Sequence, residues 1–159
     1  MAKLDLLIQG SNDGHWEFSE VFKGLANEDL WRRAHPKLLS VGELPGHVAY
    51  WEANTISSYL PEGFQSPLVQ KCFDYYTNEV DNPVVLELSV EEVANEMKRI
   101  HEIFVDVVTK IDPDFSDLNA DRPQMTWGQY LQYQVFHVAY HAGQAYSVRH
   151  LMGHATTDN

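Results

Sequence analysis

Residues 126–153 read TWGQYLQYQVFHVAYHAGQAYSVRHLMG, and the spacing within them decides the fold. Thr126 followed three residues later by Gln129 is a capping box: the hydroxyl accepts from a free first-turn amide, and the Gln side chain reaches back to the cap's own amide. From there Trp127, Leu131, Gln134, Val138, His141, Ala145, Val148 and Met152 recur at steps of three and four, which is one face of a helix, and Gly153 supplies a stop. Two polar residues, Gln134 and His141, stand on that otherwise apolar stripe.

The same signature recurs upstream. Ser89-Val-Glu-Glu92 opens a face of Val90, Val93, Met97, Ile100, Phe104, Val107 and Ile111 that Asp112-Pro113 closes. Ser40-Val-Gly-Glu43 opens Leu44, Val48, Trp51 and Thr55 before Pro61 and Gly63, with Pro45 expected to displace the start or kink the first turns. Each of these three stretches has room for about five turns. Leu4, Ile8, Ser11, His15, Phe18, Phe22 and Leu25 also keep helical spacing across a turn-like GSNDG at 10–14. That segment reads as one helix with a weak middle, two short helices being the alternative.

Four helices follow, joined by connections 26–39, 60–88 and 112–125, far longer than the roughly 2–8 residues that link antiparallel neighbours in a bundle. Up-down-up-down order is therefore disfavoured, and the 60–88 crossover is long enough for helices two and three to run parallel. Within it, Ser66-Pro67 followed by LVQKCFDYYTN reads as a short accessory helix. The expected fold class is all-α: a four-helix bundle with long crossovers, a single domain over residues 1–159.

Composition removes several functions. The chain has 23 acidic against 11 basic residues, a formal charge of −12 that repels phosphate backbones and anionic lipid, so no nucleic acid partner is expected. No apolar run approaches the ~18–20 residues of a membrane span, and MAKLDLLIQGSND lacks the order of a signal peptide, so no membrane partner and a cytoplasmic location are expected. A lone Cys72, read as a packing residue, excludes an internal disulfide and a multi-cysteine metal site.

The chemistry lies with histidine. HVAY occurs at 47–50 and again at 137–140 without similarity in the flanks, which argues against duplication. His137 and His141, four residues apart, share a helical face about 6 Å apart along the axis. That pair suits two readings, ligands to one ion or packing and hydrogen bonding. The zinc-protease motif is excluded, because Val138 stands where its glutamate belongs. His47, one turn into its own helix beside Trp51, offers a third imidazole. Three neutral imidazoles suit Zn, Ni, Fe(II), Co or Mn with positions left open for water or substrate. Asn54, Ser58, Gln134 and Gln144 lie on the same faces, where they would orient ligands or water, or else form polar surface. Glu52 points about 140° away from His47 and is not assigned as a ligand. His15 and His101 lie on inward faces and are weaker candidates, while His35, His150 and His154 read as structural.

LANEDLWRRAHPKLLSVGELPGHVAYWE (25–52), the long crossover and the final segment together resemble the DinB/YfiT-like metal-binding four-helix bundles. The resemblance implies that His47, His137 and His141 bind one divalent transition metal (Zn, Ni, Fe or Mn), with water completing the sphere. It matches Gly143-Gln144 to a family Gly-Gln, and it places Tyr140 where many relatives carry a further histidine, so any role of that neighbour is absent or altered. It implies parallel helices two and three, a homodimer and a small-molecule substrate. Relatives are described as metal-dependent hydrolases and as transferases using low-molecular-weight thiols. The expected function is a metal-dependent enzyme that activates water; the alternatives are a thiol-dependent transferase, for whose cofactor carboxylates Arg149 is the nameable residue, or a non-catalytic metal or small-molecule binding module.

Overall fold

The computed structural model describes residues 3–70 and 82–156. Its helices are α1 (Lys3–Phe22), α2 (Asn27–Leu30), α3 (Glu43–Thr55), α4 (Pro67–Gln70), α5 (Val90–Ile111) and α6 (Trp127–Leu151), with a two-stranded sheet, β1 (Leu118–Asn119) and β2 (Arg122–Thr126), ahead of α6. Cys72 and the later part of the accessory helix expected after Ser66 lie outside the described residues; at its start, Ser66 Oγ accepts from the Val69 amide.

Helix directions follow from what packs together. Leu44 and Val48 of α3 share one apolar cluster with Val93 and Met97 of α5, and Ile56, just past α3, shares the other with Phe104 and Val108, so α3 and α5 run parallel as expected. A Cβ on Gly10 would meet Val135 and one on Gly14 would meet Val138, while the Tyr146 hydroxyl donates to the Glu17 carbonyl and Arg149 to that of Val21. Helices α1 and α6 are therefore parallel too. The two pairs oppose each other: Glu52, late in α3, meets Gln134, early in α6, and His47 meets His137 and His141 further on.

GSNDG does not break α1. Its glycines lie on the face against α6, where a Cβ at Gly14 would sit 2.9 Å from Val138 Cγ1 and one at Gly10 3.1 Å from Val135 Cγ1. Each costs about 1 kcal/mol of helix propensity, which the close approach of the two helices offsets.

All three capping boxes form. Ser89–Glu92 and Thr126–Gln129 make both reciprocal bonds. At the third, the Ser40 amide donates to Glu43 Oε2 at 2.8 Å and the Glu43 amide to Ser40 Oγ at 3.1 Å. Glu43 is fully buried and also takes the Arg33 guanidinium, at 2.6 and 2.8 Å, and the Val84 amide. The helix proper starts at Glu43, past the Ser40 box, and Pro45 falls in its first turn, where amides have no intrahelical acceptor. The expectation of five turns fails for α3: the Thr55 hydroxyl bonds back to the Trp51 carbonyl, and the chain passes at Ile56 into a single 3-10 turn, Ser57–Tyr59.

Helix α5 ends where Asp112 turns to φ 42°, and Gly153 follows α6 at φ 91°. Between them, the segment read as plain connection holds the hairpin, with Leu118 opposite Thr126 and Asn119 opposite Arg122. Buried Asn119 fastens it: its Oδ1 accepts from the Asp121 and Arg122 amides, and its Nδ2 donates to the Thr55 carbonyl at 3.3 Å. The hairpin is thereby tied to the end of α3, beside the face that carries His47. Among the described residues, no helix is long and apolar enough to cross a membrane.

Candidate metal centre

His47 enters from the first half of α3, and His137 and His141 from successive turns of α6. Their ring centroids are 4.5–5.0 Å apart, His137 Nε2 lies 3.1 Å from His47 Nε2, and one donor nitrogen from each falls within 4.8 Å of the others. All three are buried, with 5–9% of their surface exposed. Burial, followed by the neighbouring imidazoles, pushes His137 down to about 3 and His141 down to about 4. At neutral pH both rings are uncharged and carry a lone pair, the state that binds a metal ion.

The hydrogen bonds fix one tautomer. His141 Nδ1 donates to Gln144 Oε1 at 2.7 Å, and Gln144 Nε2 donates to the Tyr140 hydroxyl at 3.1 Å, which leaves His141 Nε2 for the shared point. His137 Nδ1 is buried without a hydrogen-bond partner, a deficit of about 1–3 kcal/mol for a polar atom. Three crowded imidazoles, two of them held neutral and one with an unsatisfied nitrogen, fit an ion held by these side chains. Among the described residues, no other His, Cys, Asp or Glu joins the cluster.

The triad lies in the wall of a cleft of about 1110 Å³, walled largely by apolar and aromatic side chains, among them Trp51, Tyr133, Phe136 and Tyr140. Two cations also line it, Lys37 and Arg122. The remaining assignments divide. Gln144 hydrogen-bonds His141, whereas Gln134 donates to Glu52 and accepts from Tyr130, hydrogen-bonding no imidazole of the triad. Asn54 accepts from Arg122, and Ser58 bonds Asp121. Arg149 does not reach the cleft: it is buried and donates to the Val21 and Ala155 carbonyls. His35 accepts from the Lys37 amide, His150 contacts Thr156, and His154 pairs with Asp29.

A second cluster lies behind the first, on the side toward which Glu52 was expected to turn. Glu52 Oε1 lies 2.9 Å from His15 Nε2, 2.9 Å from His101 Nδ1 and 3.1 Å from Gln134 Nε2, and His101 Nε2 lies 2.8 Å from Asn12 Oδ1. Burial opposes ionisation of Glu52, but the two histidines prevail and hold its carboxyl well below the usual range. Burial lowers His15, against the pull of Glu52. These donor atoms are also close enough to share an ion. The His15 and His101 rings, however, stack at 3.6 Å and 17°, so their in-plane lone pairs run side by side instead of converging. The second cluster is suited to a hydrogen-bonded ion group more than to a metal. Neither it nor Arg122 was found in the sequence; Asn119 followed by Asp121 and Pro123 was the available turn signal for the hairpin that carries Arg122.

A family model described as DinB superfamily matches residues 15–145, a span that contains all three histidines of the cleft. No curated protein and no solved structure matches the chain.

Proposed function

The chain belongs to the DinB superfamily, and from that membership and the geometry of the cleft we propose a cytoplasmic metal-dependent enzyme that activates water against a small-molecule electrophile. The observation that carries the reading is the convergence of three buried imidazoles at the wall of a large cleft, with no fourth ligating side chain among the described residues. A divalent ion held by His47, His137 and His141 would supply Lewis acidity and bring the pKa of water toward about 7. Gln144 holds His141 in the tautomer that presents Nε2. The aromatic walls exclude solvent from one side of a bound molecule, which strengthens polar contacts made there. A closed protein ligand set would instead favour a structural ion.

The volume of the cleft supports a second reading, transfer from a low-molecular-weight thiol, since a cofactor and an electrophile fit together in about 1110 Å³. The test uses protein stripped with chelator, reloaded separately with Zn, Ni, Mn and Fe(II), and assayed on esters, thioesters and amides with and without added thiol. Ion-dependent hydrolysis that His137→Gln abolishes is the expected result. Product only with thiol would move the assignment to the transferase. Full metal loading with neither activity would overturn both and leave a binding module.

A further inference from the structure

Among the described residues, Arg122 is the arginine without a carboxylate or backbone carbonyl at its guanidinium. Arg32 pairs with Asp29, Arg33 with Glu43 and Arg99 with Glu96, and Arg149 takes two carbonyls. Arg122 makes a single hydrogen bond, from Nη1 to Asn54 Oδ1 at 3.2 Å, and its Nε is buried with no partner. Its guanidinium carbon lies over the Trp51 ring, 4.2 Å from the centroid, so the cation rests on an aromatic face. In a chain with 23 acidic residues, a half-buried cation left without an acid in the histidine cleft is a charge arranged for something else.

We propose that Arg122 is the anchor for the carboxylate of a largely apolar small molecule whose body lies along the aromatic walls of the cleft. This substrate class rests on the reading of the cleft as the reaction site. The fork of a guanidinium matches a carboxylate in shape and charge. The walls offer Trp51, Tyr133, Phe136 and Tyr140 to the rest of the ligand. Lys37, exposed at the cleft, adds a second positive charge near the entrance. The formal charge of −12 disfavours polyanions, whose repulsion grows with each added charge, and leaves a single carboxylate as the better match. Asn54, outside the histidine triad's hydrogen bonds, acquires a role here by holding the guanidinium in place.

The test is calorimetric titration of 4-phenylbutyrate and octanoate against their neutral amides and against phenyl phosphate, with wild type, Arg122→Lys and Arg122→Gln. Each protein is used both metal-loaded and after chelation, with thermal midpoints confirming that the variants fold. The expected result is a preference of about tenfold or more for acid over amide in wild type, with or without metal. Arg122→Gln abolishes that preference, and Arg122→Lys, which keeps the charge and therefore the fold's electrostatics, retains part of it. Equal binding of acid and amide, a preference that survives Arg122→Gln, a preference that chelation removes, tighter binding of phenyl phosphate, or no binding of any probe would each overturn it. The acid-over-amide preference of the chelated protein requires neither bound metal nor turnover, so failure of the metal-enzyme reading is distinguishable from failure of this one.

Discussion

Gln134 of α6 donates to Glu52 Oε1 of α3 at 3.1 Å, and that contact ties α6 to the buried Glu52 cluster at the centre of the bundle. On one side stand His15 and His101; on the other, one turn along α6, stands His137. The Tyr130 hydroxyl, 3.1 Å from the Trp51 carbonyl and 3.2 Å from Gln134 Oε1, fixes which way the Gln134 amide faces. Glu52 is fully buried, and its contacts with His15, His101 and Gln134 all fall on Oε1, while Oε2 has no hydrogen-bond partner.

That burial predicts a direction for acid sensitivity in metal-free protein. His15 faces Glu52 from α3 and His101 from α5, and its folded pKa lies below the ordinary 6.5 chiefly through burial. The unfolded chain therefore takes up a proton near 6.5 before the folded one does, and stability falls as the pH drops below that point. Glu52 is also depressed from its ordinary 4.5, so a further loss sets in as the pH falls through the range where the unfolded carboxylate is protonated. Above about pH 7 neither contributes a slope. Urea midpoints between about pH 8 and pH 4 in chelator should fall from about pH 6.5 downward, and His15→Gln should make the descent shallower. A flat profile to pH 5 would contradict the account.

Gly14 and Gly143 should respond in opposite directions. Gly14→Val drives a branched side chain into Val138 and is expected to cost about 1–3 kcal/mol. Gly143 is helical with open space at its Cβ, so Gly143→Ala should stabilise by up to about 1 kcal/mol. Denaturant midpoints of the two variants decide this.

Glu43→Ala should be among the most damaging single changes outside the cleft. It leaves the Arg33 side chain, 8% exposed, without its carboxylate and frees the Ser40 and Val84 amides. A loss of about 3–5 kcal/mol is expected by denaturant unfolding; a loss under about 1 kcal/mol would contradict it.

Gln144→Leu should preserve the three imidazoles but release His141 Nδ1. Metal affinity, measured by competition with a chromophoric chelator, should fall about 10–100-fold. Unchanged affinity would show that the tautomer is set elsewhere.

The helices and their caps were legible because capping boxes and three-four spacing are local properties of the chain. The parallel order of α3 and α5 was permitted by connection length and implied by the family resemblance. GSNDG shows the limit: glycine signals a turn in isolation, and only the facing Val135 and Val138 reveal that it serves helix contact. Of the site, the histidine pairing followed from periodicity, and Glu52 was rightly turned away from His47. The partners of Gln134, Asn54 and Arg149 were not legible, because a helical face says where a polar side chain points but not which of several partners it reaches. Arg122 was missed since its position depends on a hairpin fastened by Asn119 to Thr55, 64 residues away in the chain.

Metal content of tag-free protein, by elemental mass spectrometry on wild type beside His47→Ala and His141→Ala, tests the central claim most directly. About one divalent ion per chain, lost in both variants, is the predicted result. Wild type that stays metal-free after incubation with Zn, Ni, Mn and Fe(II), or an ion retained in both variants, would contradict it.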